Sequence, residues 1–349
     1  MMFNNLSARA LIAATVATLL LVVAIYFGSR NLGNFDPALV AYLFACIFCC
    51  FGVVYRYTVW LQRPPTWRYF ASGWKLFFSG RLFRYGWEFT KNFVVNFVGQ
   101  KFIRERGKVR GYGHLLMAGG CVMAFGVTFP LVYGWIHFGL QPGGIDTYEI
   151  FVFGFKVMEF TLHTVLAELI FNALNWSAIL VIAGVIMLMH RRLTDPGQIA
   201  VQTFGGDWLP LLLLLTISVT GIGITLSYKF MEGSGHQFMA ITHAMTVILF
   251  LIWMPFGKFF HIIQRPAQLG IAIYRKAGAE GEQAICPHAK EAFTSKMHIE
   301  DVKAVASELG FNYKRKDGIS HMDYSPRGKR ALLAKAHLKA REESGSFFG

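Results

Sequence analysis

His243 and His261 stand 18 residues apart in a strongly apolar stretch, an interval of about five α-helical turns, so one continuous helix would point both imidazoles the same way. The rise between them would be about 27 Å, close to the ~30 Å hydrocarbon thickness of a bilayer. A polar ring held in lipid calls for a functional partner. Two such rings stacked on one helix face point to haem ligation, because a neutral imidazole offers one nitrogen to iron and the other to a hydrogen-bond acceptor.

Ligands of that kind need membrane helices to carry them. The 349 residues are 54% hydrophobic and 15% charged, with 33 Phe, too apolar for an ordinary soluble domain. The net charge of +14 comes from cations that flank apolar runs rather than from a nucleic-acid motif, so it reports orientation in a bilayer and no nucleic-acid partner is expected. Apolar runs of about 20 residues bounded by charge fall near Ala8–Gly28, Leu39–Leu61, Gly111–Phe138, Asn172–His190, Trp208–Tyr228 and Gln237–Ile263. The sequence therefore predicts an all-α integral membrane protein of about six transmembrane helices, four of them a haem-binding bundle, with a small soluble C-terminal tail. The expected divisions are two N-terminal spans in 1–61, a basic aromatic interfacial loop in 62–110, a four-helix membrane domain in 111–268 and a tail in 269–349. The first run is long for a secretory signal core and lacks a small-x-small cleavage site, so it reads as a retained span.

Loop charge sets the expected orientation. Arg56–Arg110 holds twelve Lys or Arg against Glu88 and Glu105 and should stay cytoplasmic, with Arg191 and Arg192 on the same side. Asp146, Glu149, Glu159 and Glu168 outnumber Lys156 after the third span, which puts both termini inside. Tyr148–Phe171 is apolar but charged, and is expected to lie as a helix along the outer surface. Trp60, Trp67, Trp74 and Trp87 alternate with cations, the pattern of amphipathic helices on the inner leaflet or of a docking surface for a soluble subunit. In the tail, Glu300–Leu309 and Lys329–Glu343 read as short helices joined by Gly318 and Pro326. The five cysteines form no disulfide framework. Cys46 and Cys49 have CxxC spacing inside a span and read as packing residues, while Cys286-Pro-His-Ala is half a CxxC element, from which this chain alone builds no iron–sulfur cluster.

Sorted by depth, His114 lies at the inner end of the third span and His261 at the inner end of the sixth, which makes them the first candidate pair for a b-type haem. His243 lies nearer the outer surface and would hold a second. Its candidate partners are His137, read at the outer end of the third span but about 140° around the helix from His114 unless Pro130 bends it, and His163. His190 is at the inner level and could compete for iron; His236 and the tail histidines read as solvated. Gly111, Gly113, Gly119, Gly120, Gly221 and Gly223 would admit a flat macrocycle or serve ordinary helix packing.

Arg110-Gly-Tyr-Gly-His-Leu-Leu-Met opening a helix, Asn172–Arg192, the Thr220-Gly221 pair, and Thr242-His243 through Pro255-Phe-Gly-Lys-Phe-Phe-His261 to Arg265-Pro266 together resemble the nitrate reductase gamma-subunit superfamily. Within it, the chain looks most similar to the cytochrome b membrane subunits of heterodisulfide-reductase-like complexes. The resemblance covers roughly residues 98–268. It implies a b-haem membrane anchor in which the histidine resembling His114 pairs with the inner histidine of the last helix, His261. Where two-haem members carry a further histidine about three turns into the earlier helix, this chain has Ala124, with Cys121 and Met123 nearby.

The expected function is that of a haem b subunit of a respiratory oxidoreductase complex in a bacterial or archaeal cytoplasmic membrane. It would pass electrons between quinone or menaquinone and a cytoplasmic iron–sulfur partner, acting as an electron-transfer subunit rather than a stand-alone enzyme. No CxxCH occurs, so covalent c-type attachment in its usual form is excluded. A haem-free membrane anchor would leave the facing histidines unexplained. A secondary transporter predicts internal repeats and broken helix pairs, and the spans differ in charge pattern.

Overall fold

In the computed structural model, residues 7–79 and 82–345 are described. The chain runs through α1 (Ala8–Gly28), α2 (Val40–Leu61), α3 (Pro64–Phe77), α4 (Leu82–Asn92), α5 (Lys101–Arg104) and α6 (Lys108–Val132). It continues through β1 (Ile136–Leu140), β2 (Thr147–Val152), β3 (Phe155–Thr161), α7 (Val165–Phe171), α8 (Ala173–Thr194), α9 (Pro196–Ile199), α10 (Leu209–Phe230), α11 (His236–Trp253) and α12 (His261–Gln264). The remainder forms α13 (Leu269–Glu280), β4 (Gln283–Ile285), β5 (Ala292–Ser295), α14 (Lys296–Glu308) and α15 (Pro326–Ser344). Two compact units result: one from residues 1–59 and 95–264, the other from 60–94 and 265–349.

The first unit is a multi-pass membrane body. Among the described residues, six helical segments are long and apolar enough to span: Ala8–Gly28, Pro37–Leu61, Lys108–Val132, Ala173–Thr194, Phe204–Phe230 and His236–Trp253. Their outward residues, such as Leu20, Val122 and Met245, are large, apolar and exposed, as a lipid solvent requires. Inside, Val181, Val185, Leu213, Phe250 and Met254 share a core with Ala45, Cys46 and Cys49 of α2. α6 and α8 approach through small residues: a Cβ on Gly184 would lie 2.5 Å from the Gly113 carbonyl, and one on Gly120 2.6 Å from that of Ser177. Those glycines serve backbone contact between helices.

Two expectations are corrected here. Tyr148–Phe171 is not a surface helix: β1, β2 and β3 form an antiparallel sheet in that order, followed by the short α7. Phe153 and Gly154, at φ 50° and 80°, make the two-residue turn joining β2 to β3, and a pair of positive-φ residues is the hairpin geometry that matches strand twist. Lys156 Nζ lies 2.6 Å from Glu149 and 2.8 Å from Glu159, bridging two carboxylates whose residues sit opposite each other in the register. The sixth span is also not one helix to Ile263. It stops at Trp253, and a turn through Pro255 and Gly257 precedes a 3-10 segment, Lys258–Phe260, and α12. Pro255 has no N–H to continue the ladder, so the continuous-helix register first read between His243 and His261 does not hold.

The second unit joins segments that sequence reading kept apart as interfacial loop and tail. Gly73 of α3 packs against Gly270 of α13, where an added Cβ would meet backbone at 3.1 Å. Lys276 holds Glu88 at 2.8 Å and Arg84 holds Glu280 at 2.6 Å, tying α4 to α13. Arg68 pairs with Glu308 and lies 3.6 Å from Asp301, to which Tyr274 also donates at 2.6 Å. The expected tail helices appear as α14 and α15.

Candidate functional site

His114 and His261 come together. Their ring centroids lie 6.4 Å apart with planes 65° to one another. His114 sits in the second turn of α6, and His261 begins α12. Each ring is held by its Nδ1. That of His114 lies 2.7 Å from Gln100 Oε1, and that of His261 2.5 Å from the Lys258 carbonyl. Because both oxygens accept, each ring donates its Nδ1 proton to them.

Gln100 was not singled out by sequence reading. It is buried, and its backbone is in the left-handed region at φ 48°, ψ 37°, a conformation that costs a non-glycine residue about 1–3 kcal/mol and persists where surrounding structure enforces it. Its position just before α5 carries no motif; only the fold brings it against α6.

The segment bearing His261 is braced by one face of α2. Cys49 Sγ lies 3.6 Å from Met254 Sδ, Gly52 leaves room for the Pro255 ring, and Arg56 Nη1 donates to the Pro255 carbonyl at 2.5 Å. The Arg56 guanidinium also lies 4.2 Å from the centroid of the Phe260 ring, within cation–π range. Arg56 thus gives a donor to a carbonyl just beyond the end of α11. Lys258 is fixed in turn: its Nζ lies 2.5 Å from Asp207, which also pairs with Arg192 at 3.0 Å and accepts from the Thr203 N–H at 3.0 Å. An arginine at a span end and an acid at a helix start were the available signals; their roles needed the fold.

His243 lies apart on α11. Its Nδ1 is 3.1 Å from the Ile217 carbonyl and 3.0 Å from Thr220 Oγ1, whose own hydroxyl donates to the Thr216 carbonyl at 2.6 Å. Gly221 provides space beneath the ring, since a Cβ there would lie 3.3 Å from its Cε1. His137 is not on the third span, which ends at Val132; it is on β1, stacked on Phe151 with centroids 4.9 Å apart, its buried Nδ1 lacking a hydrogen-bond partner. His163 lies in an exposed turn at φ 66°. Among the described residues, no hydrogen bond or ring contact joins either to His243.

Of the remaining glycines named from sequence, Gly111 packs on Arg104 and Gly223 on Met239, while Gly119 faces open space. In the second unit, Cys286-Pro-His-Ala packs on the N-cap and first turn of α15, Ser325-Pro-Arg-Gly, and the Cys286 sulfur sits 2.6 Å from where a Cβ on Gly328 would be. Cys286 is the single thiol at this junction, and one thiolate does not make a tetrahedral metal site.

Among the described residues, no group of three or more His, Cys, Asp or Glu side chains is placed to hold a bare metal ion. Two imidazoles without a third side-chain ligand would suit a prosthetic group that supplies the remaining donor atoms itself. Two metal–nitrogen bonds of about 2 Å each plus the two ring radii would put two imidazole centroids on one metal about 6 Å apart, close to the 6.4 Å between His114 and His261. No protein-family model, curated protein or solved structure matches the chain.

Proposed function

We propose that this chain is a haem b membrane subunit of a respiratory oxidoreductase complex, carrying electrons between the quinone or menaquinone pool and a cytoplasmic iron–sulfur partner. The observation that carries the proposal is the facing pair, His114 and His261, with rings 6.4 Å apart and each Nδ1 held by an oxygen acceptor. The motif order resembling the nitrate reductase gamma-subunit superfamily supports it. When bound, a b-type haem supplies one-electron transfer. The chain's part is to present two Nε2 lone pairs, keep the protons on Nδ1 through Gln100 and the Lys258 carbonyl, and hold the His261 segment through Arg56 and Asp207. The cations around this end, Lys101, Arg104, Arg106, Arg191 and Arg192, favour the cytoplasmic side, with both termini there. His243, already oriented by Ile217 and Thr220, is the candidate ligand for a second haem.

A reduced-minus-oxidised absorption spectrum of the purified protein, with haem quantified per chain, tests this reading. A b-type band is expected in the intact protein and should be lost in both His114→Ala and His261→Ala. His243→Ala counts the second site. An intact protein without haem would sink the proposal and leave the haem-free anchor.

A further inference from the structure

The second unit presents a face that the electron-transfer reading does not use. On α3 and its C-cap, Trp67, Trp74 and the capping Phe78 recur at intervals of seven and four residues, so they lie on one side of the helix. Tyr69 and Gly73 lie on the other, against Tyr274 and Gly270 of α13. On α4, Phe83, Trp87 and Lys91 follow one another at intervals of four, while Tyr85 is buried and Glu88 is paired with Lys276. The outward aromatics are well exposed: Phe78 at 70%, Phe83 at 95% and Trp87 at 68%. Both helices therefore use one face against α13 and turn an aromatic face away from it.

Charge on these helices is sorted in the same way. The acids Glu88, Glu280, Asp301 and Glu308 are engaged inside the unit by Lys276, Arg84 and Arg68. Arg63, Lys75 and Lys91 are exposed; Lys91 also adds to the positive field at Glu88, whose ion-pair partner is Lys276. The outward charge beside the aromatic stripes is thus positive. Tryptophan prefers the headgroup level of a bilayer, and clustered Lys and Arg are attracted to an anionic leaflet. A tether is built in as well: Gln62 and Arg63 alone separate the last residue of α2 from the first of α3, a reach of about 10 Å at most.

From this we infer that the aromatic, basic face of α3 and α4 docks on the anionic lipid headgroup layer of the membrane the chain spans. The inference stands independently of haem. Aromatic rings enter the headgroup boundary and Arg63, Lys75 and Lys91 meet lipid phosphates, so that the second unit lies on the leaflet rather than free in solution.

The test uses the full chain in nanodiscs, spin-labelled with a hydrophilic thiol reagent at Phe83→Cys and separately at Phe78→Cys, with the unsubstituted chain as control for its own cysteines. Asp317→Cys, at an exposed turn position, gives the aqueous reference. In discs containing about one-third phosphatidylglycerol, collisions of the 83 and 78 labels with a water-soluble nickel chelate should fall at least about threefold below the reference, with collisions with oxygen rising. The combined change Arg63→Glu, Lys75→Glu and Lys91→Glu should restore chelate access, and discs of phosphatidylcholine alone should show intermediate values. Chelate access at 83 and 78 equal to that at 317 in the anionic discs would overturn the proposal. So would protection that persists in lipid-free detergent, or that arises only when a soluble protein is added.

Discussion

At the residue scale, an imidazole is oriented when one of its nitrogens is committed to a neighbour, and this chain commits three of them in three ways. His114 uses a side-chain amide, His261 a carbonyl three residues earlier, and His243 a carbonyl and hydroxyl of the neighbouring helix. On the proposed haem reading, replacing Gln100 with Leu should weaken haem retention about 10–100-fold, the usual effect of losing a partner behind a ligand, measured by haem titration; unchanged retention would remove Gln100 from the site. Cys286 offers a separate test. Burial pushes its thiol up, but the Ser325 hydroxyl and the N–H groups of Ala289, Ser325 and His288 outweigh that effect and bring it down to about 7, from an ordinary value of 9.0. Thiolate absorbance should therefore titrate near neutral pH in the folded protein. A lowered pKa favours folding fully above pH 9 and loses that contribution as pH falls through 7, so the second unit should gain stability between these values and Cys286→Ser should abolish the gain.

At the scale of elements, close helix contact and helix interruption both position the pair. The α6–α8 seam depends on Gly113, Gly120 and Gly184, because a side chain at Gly184 would run into the backbone of α6. Gly184→Ala should cost about 1–3 kcal/mol through overpacking, whereas Gly119→Ala, with nothing within 4 Å of its new Cβ, should be neutral or slightly stabilising. Unfolding in detergent distinguishes them, and equal effects would refute the seam. The break at Pro255 matters as much: it ends α11 and hands His261 to a separate segment that α2 braces through Cys49, Gly52 and Arg56. Those three recur at helical spacing on one face of α2, a pattern visible in the sequence but without meaning until Pro255 is placed against it.

At the scale of the whole molecule, the chain leaves the membrane body twice, and the two excursions fold together. Arg68, Arg84 and Glu88 come from the first; their partners Asp301, Glu308, Glu280 and Lys276 come from the second. A chain ending before residue 269 should keep its spans but lose these pairs. Limited trypsin digestion should then cut at Arg68, Lys75 or Arg84 faster than in the full chain, and equal protection would show that α3 and α4 hold together alone.

Composition and the length of apolar runs determined by themselves that this protein is a six-span membrane protein, because the bilayer demands about 20 apolar residues per crossing whatever the partners. Charge around the runs likewise predicts His114 and His261 at one level, and the fold brings their rings within 6.4 Å. Only tertiary structure decided the rest. Reading Tyr148–Phe171 as a helix failed because hydrophobicity there ignored the paired positive-φ turn at Phe153-Gly154, and the strand pairing that stabilises it is non-local. His261 lies beside His114 as expected, but the helix expected to carry it stops at Trp253. Gln100 and Arg56 stayed invisible because a hydrogen bond between residues distant in sequence leaves no local pattern in either.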